Sequence, residues 1–253
     1  MKENKTKSKI QAKTPCYGVI SPTTDPVICE YLGFAGLDFY MIDAEHGAIS
    51  PSDITNMIRA CELSDITPLA RVGSLDEKLI LQYMDAGVMG IMMPGCSTVQ
   101  DVERLVSAIK YPPLGNRGLG PVRAADYMMK MPQLEYVQFA NNQTLVLPQI
   151  EDMEAVRNLS AMCAVDGVDG FIIGPRDLAM SMGFYDGPNH EEVKKTIDEI
   201  FEVILAAGKI VGTVAATAEQ AKILTNKGAT IILNSVQGLL ASGVKSNVPF
   251  MGQ

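Results

Sequence analysis

Short apolar runs rich in β-branched residues alternate along the chain with longer stretches whose apolar residues recur at helical spacing. This alternation predicts parallel strands joined by crossover helices. We count eight strand candidates, the number that a closed (β/α)8 TIM barrel requires, and we predict that fold. The predicted strands are Cys16–Ile20, Leu37–Ile42, Thr67–Arg71, Val88–Met93, Thr144–Ile150, Asp169–Ile173, Lys209–Thr213 and Ala229–Leu233.

Helix signals bound the segments between these strands. Ser50 before Pro51 predicts a capped helix start. Gly87, Gly208 and Gly228 each follow a helical pattern at a point where a left-handed residue ends a helix. The predicted helices are Pro26–Phe34, Pro51–Ser64, Leu75–Ala86, Thr98–Lys110, Met153–Met162, Glu191–Ala207 and Ala218–Lys227.

The chain has 253 residues, a length typical of one α/β barrel of about 250 residues. We predict a barrel domain over residues 15–253 and a flexible basic arm in solvent over residues 1–14. No apolar run after the arm resembles a secretory signal, and none reaches the roughly 18 residues of a membrane span. The lysines of the arm are Lys2, Lys5, Lys7, Lys9 and Lys13.

Charge and cysteine content narrow the class of partner. The formal net charge of -8 argues against nucleic acid or an anionic membrane, which require a basic face, so a small molecule is the expected ligand. No two cysteines form a C-x-x-C pair, which argues against a zinc knuckle and a disulfide framework and favours a reducing cytoplasm. The cysteines are Cys16, Cys29, Cys61, Cys96 and Cys163.

One connection between predicted strands is unusually long. Tyr111–Gln143 holds a loop rich in glycine and arginine, Leu114–Asp126, and a predicted extra helix over Leu134–Ala140. A loop of this length in a barrel is typically functional, and we expect it to cover one mouth of the barrel. Arg123 in this loop either binds a substrate carboxylate or stabilises the loop itself.

Polar residues follow the predicted strands at their carboxyl ends, where the active site of a (β/α)8 barrel is built. Glu151 and Asp177 follow two adjacent strands, and two such carboxylates suit Mg²⁺ or Mn²⁺. The alternative is that each is an exposed acid or a helix cap. Asp43 and His46 lie in one loop, and a histidine held by a carboxylate suits proton transfer, although structural hydrogen bonding is the alternative.

Two further features concern anions. Arg71 ends an apolar strand and would either hold a carboxylate or enolate oxygen or pair with an acid at the mouth. The turn at Gly174 would present the N–H groups of Arg176 and Asp177 to an anion. No predicted strand ends in a lysine, which disfavours Schiff-base chemistry.

Four segments carry a resemblance to a known family. DFYMIDAEH at Asp38–His46, YPPLGNRG at Tyr111–Gly118, QIE at Gln149–Glu151 and VDGFIIGPRDL at Val168–Leu178 resemble the HpcH/HpaI family of class II pyruvate aldolases. The resemblance runs in order from about Gly18 to Gly243. It implies a (β/α)8 barrel, often hexameric, whose last helix packs on a neighbouring subunit.

The resemblance also implies residue roles. Glu151 and Asp177 would bind a divalent cation (Mg²⁺ or Mn²⁺, possibly Co²⁺), and Arg71 would steady an enolate. Gln149 would lie on pyruvate, whose carboxylate the amides of Arg176 and Asp177 would hold. The His46–Asp43 pair would assist proton transfer, with either His46 or a metal-bound water as the base. The implied reaction is the cleavage or formation of a 4-hydroxy-2-oxo acid from pyruvate and an aldehyde.

One segment departs from the family pattern. Pro121–Tyr127 stands where members that cleave 4-hydroxy-2-oxoheptanedioate tend to carry a serine-containing stretch, so the aldehyde stays open and Arg123 is the candidate contact to it. Two other functions stay open as well. One is a lyase of a coenzyme A thioester, similar to a citrate lyase β subunit, and the other is a barrel that binds a small oxyacid without catalysis.

Overall fold

Eight parallel strands close into a barrel in the computed structural model of the chain, which describes residues 1–248. Each strand pairs with its sequence neighbours, and β1 pairs with β8 to close the barrel. The predicted (β/α)8 barrel is confirmed. The strands are β1 (Cys16–Ser21), β2 (Phe39–Ala44), β3 (Thr67–Val72), β4 (Gly90–Met93), β5 (Leu145–Ile150), β6 (Gly170–Ile173), β7 (Ile210–Val214) and β8 (Ile231–Ser235).

Helices cover the outside of the barrel, and three of them are additional to the strand-helix alternation. The additional helices are α1 before the first strand, α6 in the long connection and α8 directly after β6. The helices are α1 (Lys5–Gln11), α2 (Pro26–Phe34), α3 (Ile54–Leu63), α4 (Glu77–Ala86), α5 (Val99–Ile109), α6 (Gln133–Gln143), α7 (Met153–Cys163), α8 (Pro175–Ser181), α9 (Glu191–Ala206), α10 (Ala218–Lys227) and α11 (Val236–Asn247).

Most helix ends match the expected signals, and one does not. Gly87 and Gly228 end α4 and α10 in the left-handed conformation, with φ of 116° and 114°. The predicted helix start at Ser50 is wrong, because α3 begins at Ile54. The Ser50 N–H and hydroxyl both donate to the Asp53 carboxylate, at 2.8 and 2.6 Å, and this holds residues 50–53 in a turn.

Alternation along the strands divides the core into two layers. In β2, Phe39 and Met41 point into the barrel lumen, whereas Tyr40 and Ile42 pack under the helices. All four side chains are fully buried. The lumen is therefore filled by side chains, and open space is left only toward its ends.

The amino-terminal segment is ordered, so the prediction of a flexible arm in solvent over residues 1–14 is wrong. Ile10 of α1 is 2% exposed and packs with the lumen side chains. The Lys7 ammonium is buried, pairs with the Asp169 carboxylate at 2.8 Å and donates to the Thr144 carbonyl at 2.7 Å. Helix α1 thus closes the amino-terminal end of the barrel. The last residues of the predicted barrel domain, 249–253, lie outside the described part of the chain.

The long connection Tyr111–Gln143 also lies at the amino-terminal end. It follows a helix and precedes a strand, and chain direction places such connections opposite the strand carboxyl ends. The Lys110 ammonium donates to the carbonyls of Asn141 and Thr144 at 2.8 and 2.7 Å. Arg117 pairs with Asp85 at the end of α4, at 2.8 Å. The loop therefore covers the mouth opposite the polar strand ends.

Two further observations concern membrane-spanning helices and the cysteines. Within residues 1–248, no helix combines the length and apolar character needed to cross a membrane. All five cysteines are free and buried.

Candidate active site

A cavity of about 340 Å³ opens at the carboxyl ends of the strands. Its base is formed by lumen residues, including Met92 and Ile172. Most sequence-predicted polar residues lie on its wall, and the β7 and β8 side is formed by small or uncharged residues. The polar wall residues are His46, Arg71, Gln149, Arg176, Asp177, Asn234 and Ser235.

Arg71 is held between two carboxylates. Its Nε and one terminal nitrogen donate to Asp43, at 2.9 and 2.6 Å, and its other terminal nitrogen lies 3.0 Å from Glu45. The strand register explains the first pair, because Asp43 of β2 is the direct neighbour of Arg71 of β3. Burial alone would raise the pKa of Asp43, but the Arg71 guanidinium and two backbone N–H groups outweigh it and hold that pKa below its usual value.

The expected pair between the Asp43 carboxylate and the His46 ring is not formed. From His46 the Asp43 carboxylate accepts the backbone N–H, at 3.3 Å, and no hydrogen bond from the ring, because this carboxylate is paired with the Arg71 guanidinium. The His46 ring is two-thirds exposed, and its Nε2 lies 4.0 Å from a carboxylate oxygen of Glu45. The structure therefore offers Glu45, and not Asp43, as the acid beside His46.

Glu151 is a carboxylate whose surroundings disfavour a bare negative charge. One carboxylate oxygen accepts the Gly95 N–H at 2.8 Å, and the other accepts from the Gln149 amide. Burial raises the pKa of Glu151, and repulsion from Glu45 and Asp177 raises it further. Three carboxylates thus crowd one side of the mouth, with Arg71 as the nearby positive charge.

This crowding fits a divalent cation. Among residues 1–248 no group of three or more His, Cys, Asp or Glu side chains has the arrangement of a metal site. Two carboxylates are nevertheless sufficient for Mg²⁺, which typically keeps several waters and takes its other oxygens from the substrate. Glu151 and Asp177 are the residues that would hold the cation, since a positive charge there relieves the repulsion that raises the pKa of Glu151.

Gln149 presents an unused acceptor at the cavity. Its side-chain oxygen is buried and has no hydrogen-bond partner, while its nitrogen is taken by Glu151. A buried acceptor without a partner is costly, so a ligand hydroxyl or a water satisfies it. The close approach depends on Gly174, because a Cβ there would stand 2.6 Å from the Gln149 side-chain nitrogen.

Two arginines of the expected site differ in location. Arg176 lies on the cavity wall and is exposed. Arg123 lies at the opposite end of the barrel, where it pairs with Glu62 near the end of α3 and donates to the Ala86 carbonyl at 3.0 Å. Within one chain, the expected contact between Arg123 and the aldehyde is therefore wrong, and its loop-stabilising alternative describes the structure.

Sequence reasoning missed Glu45 as a site residue. It belongs to the same strand-end segment as Asp43 and His46, and that position was the available signal. Asn234 and Ser235 were also missed; they end β8 and line the cavity. Neither residue type points to a site without the barrel geometry.

Comparison with known proteins matches the chain to one family over nearly its whole length. Residues 17–242 match the family described as HpcH/HpaI aldolase/citrate lyase. The chain is 33% identical over 242 residues to a hydroxypyruvate/pyruvate aldolase of Cupriavidus necator, covering 94% of this chain and 88% of the relative.

Two further relatives agree. The 4-hydroxy-2-oxo-heptane-1,7-dioate aldolase of Salmonella typhimurium is 33% identical over 246 residues, covering 96% of this chain and 93% of its own. The crystal structure of an HpcH/HpaI aldolase from Desulfitobacterium hafniense superposes with a TM-score of 0.88 at 28% identity, covering 97% of both chains. The chain belongs to the HpcH/HpaI aldolase/citrate lyase family and is an enzyme of the carbon–carbon lyase class, as its sequence motifs predict.

Proposed function

We propose that the chain is a metal-dependent pyruvate aldolase that cleaves or forms a 4-hydroxy-2-oxo acid. The observation that carries this proposal is the position of Glu151 and Asp177, which follow the directly paired strands β5 and β6 at their carboxyl ends. Repulsion between the two charges contributes to the raised pKa of Glu151, which a bound cation would relieve. Glu151 and Asp177 would hold the divalent cation, which would supply the Lewis-acid polarisation of the oxo-acid carbonyl that makes the adjacent methyl group acidic.

The chain's own residues supply the remaining steps. The backbone N–H groups of Arg176 and Asp177 hold the pyruvate carboxylate. Gln149 lies beside this site, and its free side-chain oxygen can accept only from a donor such as the 4-hydroxyl group of the oxo acid or a water. Arg71 stabilises negative charge that develops on the oxo-acid oxygen, and Asp43 and Glu45 fix the direction of its guanidinium. His46 lies on the cavity wall with its ring exposed, so it is placed to take a proton from the methyl carbon or pass one to solvent.

The bond changes balance as an aldol addition. The pyruvate methyl carbon loses a proton to the base and forms a bond to the carbonyl carbon of the aldehyde. The former carbonyl oxygen of the aldehyde takes a proton and becomes the 4-hydroxyl group. In the cleavage direction the same proton leaves the hydroxyl, the carbon–carbon bond breaks, and the methyl group of pyruvate is reprotonated.

Exchange of the pyruvate methyl protons with D₂O, followed by proton NMR, tests the proposal without knowledge of the aldehyde. We expect rapid exchange with Mg²⁺ or Mn²⁺ present and its loss with chelator or in Glu151→Gln. The Asp166→Asn variant, which removes an acid from outside the cavity, serves as a matched control and keeps the exchange. Exchange that persists in both chelator and Glu151→Gln would refute the assignment.

We also propose that the chain works as a homo-oligomer, with a hexamer as the expected form. Apart from Val236, the residues of α11 are exposed. Several of them are large and apolar, and a second copy of the chain is the occupant that the family resemblance implies. The exposed large apolar residues of α11 are Leu239, Leu240 and Val244, and Val248 follows the helix.

A further inference from the structure

We propose that the Arg176 side chain selects aldehydes that carry a carboxylate at their far end. This inference rests on the proposed aldolase function and concerns the guanidinium, whereas the resemblance concerns only the amide of the same residue. Arg176 lines the cavity and is exposed. It is a specificity residue in this account.

The charges around the cavity leave Arg176 free. Two other basic side chains line the cavity, Arg71 and His46. Arg71 is held by two carboxylates, and His46 lies beside Glu45. Among residues 1–248, Arg176 takes part in no ion pair and no side-chain hydrogen bond, so its five N–H donors face solvent or a ligand.

Depth in the cavity separates the two arginines. Arg71 is 9% exposed and Gln149 is 4% exposed, so both belong to the inner part of the site where pyruvate is proposed to bind. Arg176 belongs to the exposed rim. The aldehyde adds to the methyl carbon of pyruvate, and its far end must extend toward open solvent. A group at the rim therefore meets that end.

The shape and chemistry of the rim favour a carboxylate over a neutral group. A guanidinium binds a carboxylate through two parallel hydrogen bonds, which gives geometric selection as well as charge. The neighbouring wall, formed by Val214, Ala215 and Ala216 at the end of β7, has no side-chain polar group and therefore offers Arg176 no competing partner. Asp177 also lines the cavity, and the proposed cation would neutralise its charge.

The test compares 4-oxobutanoate with butanal, which share a four-carbon aldehyde chain and differ in the terminal carboxylate. Aldol addition to pyruvate is measured with the metal-loaded enzyme for wild type, Arg176→Met, Arg176→Lys and Arg157→Met. Arg157 is an exposed arginine outside the cavity and controls for net charge. We expect the ratio of kcat/KM for 4-oxobutanoate to that for butanal to fall about tenfold in Arg176→Met, mainly through KM, and to recover partly in Arg176→Lys.

Ionic strength gives a second readout. Added salt should raise the KM for 4-oxobutanoate in wild type and not in Arg176→Met, because salt screens an exposed charge pair. An unchanged ratio in Arg176→Met would overturn the inference. An equal loss with both aldehydes would also overturn it, since the side chain would then act on pyruvate. Failure of the proposed function itself would show differently, as wild type would not exchange the pyruvate methyl protons.

Discussion

Asp43 contributes to stability through its buried pair with Arg71. In Asp43→Asn the guanidinium loses a charged partner and keeps only Glu45, so we expect the free energy of unfolding at pH 7 to fall by about 2–3 kcal/mol. Denaturant titration of both proteins measures this difference. A loss below about 0.5 kcal/mol would contradict the role of the pair.

The pH dependence of that difference follows from the direction of the pKa shift. The pKa of Asp43 is lowered from its usual value of 3.8. Its stabilising contribution is therefore fully present above pH 3.8 and is lost as the pH falls through the lower folded-state pKa. We expect a constant difference between wild type and Asp43→Asn from pH 7 down to about pH 5. A difference that shrinks within that range would contradict the assignment.

Gly174 sets the position of the Gln149 amide. A methyl group at residue 174 would stand 2.6 Å from the Gln149 nitrogen and 3.3 Å from the Glu151 Cβ. Gly174→Ala should therefore displace both side chains and slow pyruvate proton exchange by at least about tenfold. Gly118→Ala is the matched control, because its Cβ meets only Leu81, at 3.8 Å. Equal exchange rates in the two variants would show that Gln149 needs no such placement.

The convergence of these polar residues on one mouth of the barrel was predictable from sequence, and the pairing of their side chains was not. Asp43, His46, Arg71 and Glu151 were found because each lies at a predicted strand end, which the fold brings to one mouth. The partner of Asp43 depends on strand register, which places it beside Arg71. Sequence patterns do not give that register, so sequence alone pairs Asp43 with the nearer residue His46.

At the scale of elements, helix α1 acts as a plug at the amino-terminal end of the barrel. Ile10→Ala should lower the free energy of unfolding by about 2–4 kcal/mol, because Ile10 packs with the lumen side chains. Gln11→Ala replaces an exposed neighbour in the same helix and should change the free energy of unfolding by less than about 0.5 kcal/mol. Thermal or denaturant unfolding measures the free energy of both variants. Equally small losses in the two would contradict the packing of α1 and support a flexible arm.

The bounds of most strands and helices were predictable from sequence. The locations of two segments, the amino-terminal residues and the long connection Tyr111–Gln143, were not. Strands and helices follow from periodicity and caps, and Pro26–Phe34 and Ala218–Lys227 have the predicted bounds. Lysines in the first residues suggested solvent, yet the charge of Lys7 is met by Asp169, a residue far along the chain. The length of the connection Tyr111–Gln143 suggests a functional loop. Because it follows a helix and precedes a strand, however, it lies at the amino-terminal end of the barrel, opposite the candidate active site.

For the whole molecule, the exposed apolar side of α11 predicts self-association. Leu240 is 63% exposed, and Leu240→Asp places a charge in the middle of that side. We expect wild type to sediment as an oligomer and Leu240→Asp as a smaller species with an unchanged circular dichroism spectrum. Ser242→Asp adds the same charge on the opposite side of the helix and should leave the oligomer intact. A monomeric wild type would contradict the proposal.

The central claim is that Glu151 and Asp177 hold one divalent cation at the mouth of the barrel. Titration with Mn²⁺, with the free ion followed by electron paramagnetic resonance, measures this binding without turnover. We expect one Mn²⁺ per wild-type chain, its loss in Glu151→Gln and in Asp177→Asn, and its retention in Asp166→Asn. Equal Mn²⁺ binding by wild type, Glu151→Gln and Asp177→Asn would contradict it.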